Sequence, residues 1–139
     1  MVKTLPSYIK GPKHALQIFD QIRFSGSHKF IFTVDVKSLY TVIPHRDGLE
    51  AFKIFFNKRT LLEPSTTTLI RLAELVLTFN NFSFDGEHYQ QISGVAMGTK
   101  MAPSYANLFV SYVEQQIFKQ YTGSVIPELF WQIATLMTA

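Results

Sequence analysis

The run KFIFTVDV, residues 29–36, constrains the fold more than any other stretch of this chain. Its β-branched and aromatic residues predict a strand, and its nearly continuous apolar character is that of a strand buried on both faces. Such a strand needs covering layers and a partner along each edge, because an open edge leaves a row of unpaired backbone groups. One acid, Asp35, falls at its C-terminal end. The only other strands legible are those of a hairpin in NFSFDGEHYQQI. There Phe82 and Phe84 alternate with polar neighbours, and Asp85-Gly86 favours a tight turn. The first strand therefore demands a larger sheet than these strands supply.

Helical spacing accounts for most of the rest. In ALQIFDQI the residues Ala15, Leu16, Ile18, Phe19 and Ile22 recur at three-to-four spacing. After a turn at Pro44, Leu49, Phe52 and Phe56 share one helical face, with Lys53 and Lys58 on the other. Pro64 and Ser65 predict the start of a third helix, whose buried stripe is expected to be Leu69, Leu72, Ala73 and Val76. The glycine- and proline-containing SGVAMGTKMAP reads as a loop. It opens a last helix with Leu108, Phe109, Tyr112, Val113 and Ile117 as its stripe and Gly123 as its end. The stretch SVIPELFWQIATLMTA starts from a proline turn and has no clear amphipathic pattern. With 47% hydrophobic residues over 139 positions, no repeats and no linker, one α+β unit is expected.

Composition excludes some chemistry. Without cysteine there are no disulfides or thiolate zinc sites, which fits a reducing compartment. His14, His28, His45 and His88 stand at no metal-ligand interval and read as surface or turn histidines. A net charge of +3 permits a polyanionic partner without demanding one. The N-terminal MVKTLPSYIKGPKH lacks the apolar segment of a signal peptide, and no run approaches the roughly 18 apolar residues of a membrane span. A soluble nuclear or cytoplasmic protein is the expectation.

Taken singly, Asp35 is an ordinary turn or capping acid, and Gly94 and Gly98 are ordinary loop glycines. Taken together, FTVDVKSLYTVIPH and YQQISGVAMGTKMAPSYANLFVSYVE resemble the reverse transcriptase of Penelope-like retroelements. LPSYIK and LAELVLTFNNFSFDGEHYQQ fit the same family in order, so the resemblance runs from Leu5 to Glu114 and on to Ile126-Pro127.

The resemblance implies a partial polymerase palm over residues 1–139, an antiparallel sheet packed on helices, spanning the first and second polymerase motifs. In it Asp35 would supply one carboxylate, and Val36 a backbone carbonyl, to paired Mg²⁺ ions that bind a deoxynucleoside triphosphate and activate the primer 3′-hydroxyl. Tyr40 would stand under the sugar, where its ring meets a 2′-hydroxyl and favours deoxynucleotides. Gly98, with Thr99 beside it, would let the backbone approach nucleotide and template closely, and Gln91 would add a polar contact. Pro103 and Asn107 match the start of the family's following helix, whereas Tyr105, Leu108 and Phe109 read as packing. Lys37, Arg46 and Lys100 would meet the phosphates of an RNA template and DNA primer.

Two departures accompany these matches. The upstream fingers segment and the thumb are not represented, and the family's third motif, Tyr-x-Asp-Asp on a hairpin, does not occur in the sequence. The stretch QIATLMTA, where it is expected, contains no acid. One carboxylate cannot hold two metals, so the chain is expected to be inactive as it stands. The alternative is a noncatalytic nucleic-acid-binding or structural remnant. The Met137-Thr138 junction reads GAC, an aspartate codon, in a neighbouring frame, so the missing motif is expected there as a frameshifted sequence.

Overall fold

The computed structural model describes residue 5, residues 9–21 and residues 35–120. In chain order they form α1 (Pro12–Gln21), α2 (Leu39–Val42), α3 (His45–Phe56), α4 (Thr66–Thr78), β1 (Asn81–Phe84), β2 (Glu87–Gln90) and α5 (Ala102–Gln120). The architecture is α+β, helices with a small two-stranded antiparallel sheet. Of the strand predicted over residues 29–36, only Asp35 and Val36 are described, and both are exposed and outside any strand. Residues 22–34, Gly123 and the SVIPELFWQIATLMTA stretch lie outside the described residues.

Helix α3 is the centre of the packing and contacts both α5 and α4. Its buried face carries Gly48, Ala51, Phe52 and Phe55, with Leu49 and Phe56 half-buried, close to the predicted face. Across the α3–α5 contact, Phe52 meets the Tyr105 ring edge-on, centroids 5.1 Å apart. Gly48 makes room for that ring, since a Cβ there would stand 1.9 Å from the Tyr105 hydroxyl. Small buried residues on α5, Ala102 and Ala106, keep the two helices close.

The start of α4 is as expected. The Ser65 hydroxyl accepts the Thr68 N–H at 3.1 Å, satisfying one of the first-turn donors. Before it, Arg59 ties the linker together by donating to the carbonyls of Phe56 and Pro64, each at 2.9 Å. The buried stripe of α4 matches the predicted one in part: Ala73 is buried and Leu69 half-buried as expected, while Leu72 and Val76 are exposed and Leu77, with Ile70 partly, is buried in their place. Residues 69–77 are apolar almost all round, so periodicity alone could not phase the helix. On α5, Leu108 is buried and Phe109 and Tyr112 are partly so, as expected, but Val113 and Ile117 are exposed. Helix α1 forms at its predicted place, but its Leu16 and Phe19 are exposed among the described residues.

The hairpin is where it was expected. Phe82 pairs with Tyr89 and Phe84 with Glu87, and the turn places Asp85 at φ 51° and Gly86 at φ 80°. Two successive left-handed residues match the twist of the flanking strands. Its packing differs from the expectation of a sheet laid on helices, because all eight strand residues are exposed among the described residues. Phe82 and Tyr89 stack on each other instead, at 5.5 Å. The sheet is joined to the end of α4 by polar bonds, Gln90 donating to the Thr78 carbonyl at 2.7 Å.

Candidate functional site

Two short segments of backbone meet at one end of the core. The chain leaves Asp35 through a turn in which Ser38 adopts φ 55° and accepts the Thr41 hydroxyl at 3.0 Å. That turn opens α2, a single turn of helix to which the sequence assigns no element. Leu39 and Ile43 anchor it in the core, and Pro44 then starts α3.

The loop after the hairpin docks on this segment. The Gly94 N–H donates to the Ile43 carbonyl at 2.9 Å, and the Val95 N–H to the Tyr40 carbonyl at 2.7 Å. His45 Nε2 lies 2.8 Å from the Gly94 carbonyl oxygen. Three successive backbone groups of the loop thus end on residues 40–45. Gly94 is required here twice over. Its φ is +75°, and a Cβ would come 2.4 Å from the Tyr40 carbonyl oxygen and 2.6 Å from Thr41 Cα. Val95, 2% exposed, plugs into the core beside Leu39 and Ile43.

Beyond this clasp the loop stands out from the core. Met97 and Gly98 are exposed, and Gly98 has φ +96° with nothing within 4 Å of a Cβ position. Thr99 closes the turn, its N–H and its hydroxyl both donating to the Ala96 carbonyl. Helix α5 begins directly after, with Pro103 exposed in its first turn and Asn107 half-buried. A helix N-terminus behind a bare glycine turn suits the approach of a phosphate-bearing ligand.

The sequence-predicted residues therefore divide. Tyr40, Gly98 and Thr99 belong to the two segments that the clasp joins, and Tyr40 is half-buried against the core. Asp35 and Val36 lie just ahead of α2, exposed. Gln91 is engaged at the foot of the hairpin: its amide donates to the Ser93 carbonyl at 2.8 Å and its side-chain oxygen accepts from Asn80. That leaves its amide group serving the hairpin more than a ligand. Lys37, Arg46 and Lys100 are exposed, on the turn before α2, the first turn of α3 and the loop respectively. Arg46 pairs with its neighbour Asp47 at 3.3 Å, an exposed contact of little energetic weight.

Among the described residues no three His, Asp or Glu side chains come together, and Asp35 offers a single exposed carboxylate. Paired divalent ions need several hard oxygens around them.

Sequence reasoning missed His45, taken as a surface or turn histidine. Its Pro-His setting at a helix start carries no distinctive signal, because its partner is a carbonyl 49 residues away. Tyr105 is the other unexpected group. It was read correctly as packing, but its fully buried hydroxyl has no hydrogen-bond partner among the described residues. Burial, and secondarily the negative charge of Asp47, raise that phenol well above its ordinary pKa. Compared with protein-family models, curated proteins and solved structures, the chain finds no match, so the site rests on its own geometry.

Proposed function

We propose that this chain is part of the palm of an RNA-directed DNA polymerase of the Penelope-like kind, and that it holds an RNA–DNA primer-template without extending it. One observation carries the reading: the two segments that resemble the first and second polymerase motifs, far apart in sequence, are bound backbone to backbone through Gly94. A nucleotide site of that kind needs Tyr40 and the Gly98 turn on one connected surface. Tyr40 is the proposed sugar gate and Gly98 the proposed close approach to nucleotide and template. Asp35, with the Val36 carbonyl, is proposed as only one part of a magnesium site. In the complete family enzyme that site supplies charge stabilisation and an activated 3′-hydroxyl.

The reading predicts binding without chemistry. The anisotropy of a labelled RNA–DNA hybrid should report an affinity that falls with salt. If Lys37, Arg46 and Lys100 each neutralise a phosphate, the log–log slope is about −2 to −3. Primer extension with Mg²⁺ and deoxynucleotides should yield no product. A salt-independent signal, or none, would leave the structural remnant as the better reading. Mg²⁺-dependent extension would overturn the claim of inactivity.

A further inference from the structure

We propose that His45 is a positioning residue: by donating its Nε2–H to the Gly94 carbonyl, it holds the loop against α2 and α3 and fixes the Gly98 turn relative to Tyr40. The purpose of this role rests on the reading of the site given above, whereas its geometry does not. A carbonyl oxygen offers only lone pairs, so at 2.8 Å the ring nitrogen facing it carries the proton. His45 is the first residue of α3, the helix against which both α4 and α5 pack. The imidazole therefore references the loop to the rigid part of the molecule.

The other two links of the clasp are backbone to backbone, Gly94 to Ile43 and Val95 to Tyr40. His45 adds a side-chain link, and it grips the Gly94 carbonyl beside them. Among the described residues the turn itself is closed locally, through Thr99 and Ala96. Its direction is thus set at its root, at Gly94 and Val95. A root held on three successive groups presents a preorganised turn, which lowers the ordering cost of any ligand that meets it.

The test uses the full chain as wild type, His45→Leu and His45→Gln, with amide hydrogen exchange followed by NMR. In His45→Leu the Gly94 and Val95 amides should exchange about tenfold faster relative to those of α3 and α5, the worth of one hydrogen bond. His45→Gln, whose amide N–H reaches a similar position to Nε2, should bring them back to within about twofold of wild type. Hybrid affinity should fall in His45→Leu and recover in His45→Gln. Unchanged exchange at residues 94 and 95 in His45→Leu overturns the proposal, and so does an equal rise throughout the helices. If the local rise occurs and is rescued while even the wild type binds no hybrid, the positioning role stands and the polymerase reading falls.

Discussion

Tyr105 and the two loop glycines show how single residues carry different loads. The Tyr105 hydroxyl is buried without a partner among the described residues, which costs about 1–3 kcal/mol of desolvation. Tyr105→Phe should therefore leave stability unchanged or raise it by about 1 kcal/mol, read from urea unfolding. The pH dependence follows from the raised phenol. Folding keeps it protonated, whereas the unfolded chain begins to release that proton near pH 10. Its contribution is complete below that pH and declines as pH rises towards the folded value, so Tyr105→Phe should resist alkaline unfolding better than wild type. Gly94 and Gly98 both have positive φ, yet their surroundings differ. Gly94→Ala adds a backbone collision to the conformational strain and should cost about 2–5 kcal/mol. Gly98→Ala meets only the strain, about 1–2 kcal/mol, but puts a methyl on the proposed contact surface. Hybrid affinity should then drop in Gly98→Ala although the fold survives, and equal stability losses in the two variants would contradict this account. Both glycines were legible as loop residues. That one of them is a docking point was not, because the atoms it must avoid belong to a distant segment.

At the scale of elements, capping and turn chemistry were readable and helix phase was not. Ser65 and the Asp85-Gly86 pair act over a few residues, and each does what its local sequence foretold. The phase of α4 depends on which side α3 approaches, and its ring of apolar residues leaves that open. The observed phase makes a direct prediction. Leu77→Ala should cost about 2–5 kcal/mol, because Leu77 is 2% exposed and touches the core. Val76→Ala, at an exposed position, should stay within about 0.5 kcal/mol of wild type. Chemical denaturation of the two variants distinguishes this phase from the expected stripe, in which Val76 would be the costly one. Helix α2 was overlooked because a single turn is too short to display a period.

For the whole molecule, the relevant quantity is how the two motif-like segments are held together. A complete polymerase site would be tightened by magnesium, whereas Asp35 stands without a cluster of further ligands among the described residues. Mg²⁺ alone should therefore leave the thermal unfolding midpoint where it is, since only a ligand that binds the folded state shifts it. A clear upward shift would reveal a metal site that Asp35 by itself does not explain. The sequence by itself determined the α+β class, the helix start at Ser65, the hairpin turn and the inward face of α3. Each of these follows from local periodicity or from turn chemistry. Tertiary structure alone decided which face of α4 is buried, that the hairpin lies exposed, and that Gly94 and His45 join the two segments. Backbone hydrogen bonds between distant residues use groups common to every residue, so no pattern of side chains announces them.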